Sequence, residues 1–201
     1  MKVISFENNE DWMEARRGKI TGSRLKGIVV KRGTNEKIGY YELIAEKIAE
    51  PADDESPMER GHRLEEEAVD KFTEQTGIEV DTSLVIWQRE DNECIAISPD
   101  GAIGDTGAVE VKCLSSARHV EAYITKKIPK DYIEQTQQYF IVNDKLETLH
   151  FVMYDPRMPK KLELILFELK REDMEDVIKE LHEYQTTKLE EINKIVSELT
   201  F

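Results

Sequence analysis

A chain of 201 residues with 39% hydrophobic and 35% charged side chains has the makeup of one globular domain, long enough to bury most of the surface it exposes when unfolded. Its 28 Lys and Arg stand against 42 Asp and Glu, and the resulting net charge of −14 argues against a general nucleic-acid binder, since attraction to phosphate supplies most non-specific affinity. No apolar run reaches the roughly 18–20 residues that cross a bilayer, and the opening MKVISFENNEDW has no signal-peptide core, so a cytosolic protein is expected.

In chain order, NNEDWMEARRGK has an Asn cap signal followed by helix formers and stops near Gly18. ITGSRLKGIVV reads as a turn into a second short helix that Thr21 or Ser23 can cap. KIGYYELIAEKIAE sets Tyr41, Ile44, Ala45 and Ile48 on one helical face, and Pro51 ends it. After the acidic loop PADDESP, the spacing predicts a long helix from Pro57 to Thr76, closed by Gly77. The period then changes to that of strands: IEVDTSLVIWQ, ECIAIS and GAVEVKCL are short, β-branched and separated by turn residues.

Helical spacing returns in SSARHVEAYITKK and DYIEQTQQYFIVN. ETLHFVMYD and KLELILFELK read as two more strands joined by PRMPK, and residues 171–201 as a helix or helix pair. The order predicts an α/β fold: a sheet core over 78–169 with a helical part, 1–77, before it. Cys94 and Cys113 have neither CxxC spacing nor the company of other thiols, and both are expected to be buried and inert. The four histidines, His62, His119, His150 and His182, show no ligand spacing and read as structural or surface residues.

The chemistry concentrates in ISPDGAIGDTGAVEVKC, residues 97–113. Residues two apart in a strand share a face, so Glu110 and Lys112 project together while Val109 and Val111 face the packing. Asp100 sits on a turn that Pro99 restrains and Gly101 allows. Pairing of 95–98 with 108–112 would bring both carboxylates to one end of a hairpin. Two hard oxygen ligands there suit Mg²⁺ or Mn²⁺, and Lys112 beside them would steady developing phosphate charge or handle a proton. Taken alone, an acid followed at a distance by ExK is more often a solvated hairpin, and only the SPDG and EVK context brings the metal site level with that reading.

More of the chain joins this stretch. WMEARRGKITGS, ERGHRLEEEA, ISPDG with VEVKC, YIEQTQQY and YDPRM follow one another over about residues 12–158. Together they resemble the lambda-exonuclease (YqaJ-type) branch of the PD-(D/E)XK nucleases. The resemblance implies a restriction-endonuclease-like core, a mixed β-sheet flanked by helices, in a single nuclease domain over 1–201. It implies Asp100 and Glu110 as ligands of a catalytic Mg²⁺ (Mn²⁺ substituting), with the Val111 carbonyl and Glu65 as further ligands; Glu66 and Glu67 lie close enough in sequence for that last choice to slip. Lys112 would be the catalytic lysine and Gln137 a supporting polar residue, with Tyr139 or Gln135 as weaker candidates. Arg16 and Ser23 would hold the terminal 5′-phosphate of DNA.

By the same resemblance the activity would be 5′–3′ degradation of linear double-stranded DNA to mononucleotides, leaving 3′ single strands for phage-type recombination. The partners implied are DNA ends, a single-strand annealing protein and two further copies in a homotrimer, with no membrane. Where the pattern has a bulky residue this chain has Arg60, an additional candidate for phosphate, as is Arg157. The basic residues Arg16, Arg17, Lys19, Arg24, Lys26, Lys31 and Arg32 cluster near the amino terminus, apart from the acids of 50–59, 65–67 and 172–198. That separation is compatible with a localised DNA groove on an acidic protein. The competing readings are a single-strand or structure-specific endonuclease of the same superfamily, a non-catalytic DNA-end-binding module, and an acidic interaction protein.

Overall fold

The six residues of Gly107–Lys112 are the organising strand. The computed structural model describes residues 8–17, 19, 27, 35–51 and 57–200. The elements are α1 (Asn9–Arg16), α2 (Ile38–Ile48), α3 (Pro57–Thr76), β1 (Trp87–Arg89), β2 (Asn92–Ile97), β3 (Gly101–Ile103), β4 (Gly107–Lys112), α4 (Ser116–Thr125), α5 (Ile133–Val142), β5 (Thr148–Tyr154), β6 (Leu164–Lys170) and α6 (Glu175–Thr200). The main sheet has the order β3-β4-β5-β6; β4 and β5 are parallel and the outer pairs antiparallel. β1 and β2 form a separate antiparallel pair. A parallel pair needs a crossover, and α4 and α5 supply it between β4 and β5. This is a mixed α/β architecture with helices flanking the sheet, as the sequence predicts.

Alternation along β4 assigns its two faces. Val109 and Val111 are buried against α3, whose Leu64, Ala68, Val69 and Phe72 form one helical stripe that also covers Val152 and Tyr154 of β5. On the opposite face Ala108 packs with Tyr139, Phe140, Ile141 and Val142 of α5, with Leu149 of β5 and with Ile178 of α6. Glu110, between Val109 and Val111, therefore points into the α5 layer. α3 ends as its sequence predicts: Thr76 Oγ1 donates to the Phe72 carbonyl at 2.7 Å, and Gly77 adopts φ +72°, which a side chain would resist. α5 ends against a guanidinium: Arg171 donates to the carbonyls of Phe140, Asn143 and Leu146 at 2.6–2.7 Å.

Several expectations are corrected. The 95–98 strand does not pair with 108–112; it belongs to β2, and β4 takes β3 as its antiparallel neighbour, with Gly101 opposite Val109. Residues 78–86 do not form a continuous strand, because only Asp81 finds a bridge partner, Ala102, before β1 begins. Cys94 is exposed, since β2 belongs to a two-stranded sheet; Cys113 is half-buried, and burial pushes its thiol up to about 12. The carboxyl-terminal segment is one helix of 26 residues. The helix predicted within ITGSRLKGIVV falls largely outside the described residues. Among the described residues no helix is long and apolar enough to cross a membrane.

Candidate active site

Asp100 stands where β3 is about to begin. Gly101 must follow it, because a Cβ there would lie 2.2 Å from Val80 Cγ1. β3 pairs with β4 only as far as Val109, which leaves the next outward amide of β4 unclaimed by the ladder. Asp100 Oδ2 takes it, accepting from the Val111 N–H at 2.7 Å. This bond draws the turn residue onto the strand that carries Glu110 and Lys112.

Glu110 is 1% exposed, and the chain surrounds its carboxylate with donors. Gln135 Nε2 donates to Oε1 at 2.7 Å and the Tyr139 hydroxyl to Oε2 at 2.5 Å. Lys112 Nζ also donates to Oε1, and the ammonium lies 5.3 Å from the centre of the Tyr132 ring. Gln135 and Tyr139 are four apart on α5 and so share the face turned to β4. Glu65 reaches the cluster from α3: it hydrogen-bonds Asp100 and repels its charge.

Burial crowds these acids. Asp100 is raised from 3.8 to about 6, first by burial and then by Glu65, with the Val111 N–H and Lys112 opposing. Glu110 is raised by burial and by Asp100, against the pull of Lys112 and Tyr139. Tyr139 is raised as well, by burial and by the Glu110 charge beside it, so its hydroxyl stays a donor. Among the described residues this cluster sets three carboxyl groups against one lysine, an excess of negative charge that a divalent cation would relieve. Its donors are hard oxygens, the kind Mg²⁺ and Mn²⁺ take. Among the described residues no three His, Cys, Asp or Glu side chains are grouped as a metal cage. The fit therefore rests on Asp100 and Glu110 with backbone and solvent oxygens completing the shell.

The structure thus brings together Asp100, Glu110, Val111, Lys112 and Glu65 of the predicted set. Gln137 is not brought to this cluster: two positions on from Gln135, it lies about 200° round the helix from the face that meets Glu110, and it makes none of the described hydrogen bonds to the carboxylates. Spacing was the available signal, since Gln135 and Tyr139 stand four apart and Gln137 falls between them. Arg16 is half-buried at the end of α1, while Ser23, Arg24, Lys26, Lys31 and Arg32 lie outside the described residues, as does the Trp12 side chain. Its neighbour Arg17 donates to the Ala49 carbonyl at 2.5 Å and, with Arg157, Ser115 and Ser116, lines a cavity of about 230 Å³.

Arg60 does not meet solvent as a phosphate contact would. It is 6% exposed, paired with Asp155 at 2.7 Å and bonded to the carbonyls of Cys113 and Leu114 at 3.0 and 3.1 Å. Arg157 also spends its guanidinium on Asp155, at 2.9 and 3.2 Å.

Two solved structures of LHK-Exo, an alkaline exonuclease from Laribacter hongkongensis, are similar to this chain, one of them in complex with dAMP. They are 26% and 27% identical to it, cover 95% of it and are themselves covered over 100% of their length, with a TM-score of 0.57 in each case. No curated protein matches the chain. The model of the YqaJ-like viral recombinase domain matches residues 11–146, a span that holds Glu65, Asp100, Glu110, Lys112, Gln135 and Tyr139. With its sheet, its paired carboxylates and that match, this chain belongs to the YqaJ-like viral recombinase domain family.

Proposed function

We propose that the protein is a Mg²⁺-dependent exonuclease that degrades linear double-stranded DNA from the 5′ end and leaves 3′ single strands for recombination. The observation that carries this is the convergence of Asp100, Glu110 and Lys112 at the end of β4, with Glu65 beside Asp100. The fold it sits in is similar over 95% of the chain to that of an alkaline exonuclease. Asp100, Glu110 and the Val111 carbonyl would hold the ion, with Glu65 acting through Asp100, and a divalent cation there supplies Lewis-acid polarisation of the phosphoryl oxygen and a counter-charge to the transition state.

The remaining roles belong to the chain. Gln135 and Tyr139 hold both oxygens of Glu110, which fixes its rotamer before substrate arrives. Lys112 is neutralised by Glu110 and stacked on Tyr132. From there its ammonium can face the scissile phosphate and transfer a proton at Nζ. Arg16 and Ser23 would receive the 5′-phosphate, for which a planar guanidinium is well shaped. Work in the cytosol as a homotrimer, with a single-strand annealing protein taking the exposed strand, completes the reading.

The deciding experiment is digestion of linear 5′-phosphorylated duplex DNA with Mg²⁺, beside closed circular DNA and the Asp100→Asn variant. The expected result is release of mononucleotides from the linear substrate alone, slowed by about three orders of magnitude or more in the variant, the scale on which enzymes lose a reacting or charge-stabilising group. Cutting of the circle would move the protein to endonucleases. No cutting with either Mg²⁺ or Mn²⁺ would leave a DNA-end binder.

A further inference from the structure

Residues 82–86 run past the turn that carries Asp100. At one end of this segment Asp81 bridges Ala102, each amide donating to the other's carbonyl at 2.8 Å. At the other end Trp87 pairs with Ile97, again antiparallel. The stretch between must therefore lie opposite 98–101. Five residues face four, and the excess residue bows the segment outward, as an extra residue does in a paired strand. Its entrance is held: Asp81 Oδ1 accepts from the Ser83 N–H at 2.9 Å and from the Ser83 hydroxyl at 2.6 Å.

The side chains presented are aliphatic and consecutive. Leu84 is fully exposed, Ile86 is 67% and Val85 42% exposed. A protein seated on them would lie within a residue or two of Asp100 in this register and would close the site. The occupant compatible with an open site is the substrate strand. Its phosphate belongs with the carboxylates and Lys112, and the deoxyribose and base on either side of that phosphate are the apolar surfaces that remain. We infer that Leu84, Val85 and Ile86 form a contact for the sugar and base flanking the scissile phosphate of DNA. The inference rests on the nuclease reading above and adds to it the part of the chain that grips the nucleotide rather than the phosphate. It also answers how so acidic a surface holds DNA beside its carboxylates: the grip here is apolar and indifferent to charge.

The test compares wild type with the double variant Leu84→Ser, Ile86→Ser, at exposed positions, with circular dichroism checking that its fold is kept. Binding of a fluorescein-labelled 5′-phosphorylated duplex is read by anisotropy with Ca²⁺ in place of Mg²⁺. Hydrolysis of bis(p-nitrophenyl) phosphate, a diester without sugar or base, is read with Mn²⁺. Expected are a Kd for the duplex raised about tenfold, the loss of one apolar contact's worth of affinity, and an unchanged rate on the small diester. Unchanged duplex affinity would overturn the contact while cleavage by wild type left the nuclease reading standing. A smaller particle by light scattering in the variant would overturn it in favour of a surface between copies of this chain. Wild type that neither binds nor cuts would overturn both.

Discussion

Asp155 shows how far a single residue can reach. It is 0% exposed, and its two oxygens accept from Arg60, Arg157 and Ser116 at 2.6–3.2 Å. Those partners pull Asp155 below the usual carboxylate range against the cost of burial. Arg60 stands five residues before Glu65 on α3, and the carbonyls it holds, Cys113 and Leu114, directly follow Lys112. The buried carboxylate therefore sets the spacing between the helix and the strand end that make the site. Asp155→Ala strands two guanidiniums, one of them buried, and is expected to cost about 3–5 kcal/mol in urea unfolding. Glu74→Ala, which removes only the exposed partner of Lys71, should leave the midpoint where it was.

At the scale of elements, α6 divides into two halves. Its first turns bury Ile178 and pack Leu181 and Leu189 against the α5 layer, whereas Ile192, Ile195, Val196 and Leu199 are half or more exposed. The apolar spacing is alike in both halves, so the difference comes from what lies opposite. Ile178→Ala is expected to lose about 2–5 kcal/mol by leaving a cavity in the core. Ile195→Ala in the same unfolding assay should shift stability by no more than about 0.5 kcal/mol. A comparable loss at Ile195 would show that the outer half of α6 is packed in solution.

For the whole molecule, stability is linked to pH through its buried histidine. His119 is 0% exposed between α4 and the 160–162 turn, where Nε2 is 2.7 Å from the Leu162 carbonyl and Nδ1 has no hydrogen-bond partner among the described residues. Burial lowers its pKa below 6.5 against the pull of the Leu162 carbonyl and Asp155, and Arg60 and Arg157 add to the lowering. The folded state thus keeps His119 neutral where the unfolded chain accepts a proton. Its contribution is complete above 6.5 and is lost as pH falls from there toward the lowered folded value, by at most about 1.4 kcal/mol per pH unit. His150, packed on Phe72, is shifted the same way. Asp100 acts in the opposite sense, since a pKa raised to about 6 favours proton uptake by the folded state below that pH. Urea midpoints from pH 8 to 5 without divalent ions separate these effects: the difference between wild type and His119→Gln should shrink steadily below pH 6.5. A constant difference would mean that His119 takes up its proton in the fold as readily as in the unfolded chain.

Local chemistry was enough to read most of the elements and to place three residues of the candidate site. Helix caps, Gly77, the alternation of GAVEVKC and the SPDG turn depend on a few neighbouring residues, and so Asp100, Glu110 and Lys112 were legible without coordinates. Pairing was not. That 95–98 joins β1 rather than β4 depends on which edge is free once β3 has formed, and 78–86 reads as a strand although only Asp81 finds a partner there. Gln135 in place of Gln137 depends on the rotation of α5 against the sheet. Arg60 looks like a phosphate ligand in a charged sequence and becomes a buried clamp because Asp155, 95 residues away, arrives beside it. The chemical groups and their local direction can be read from the chain alone, because those follow from dihedral preference and period. Tertiary structure decided which groups meet, because burial and partnership are set by chains distant in sequence.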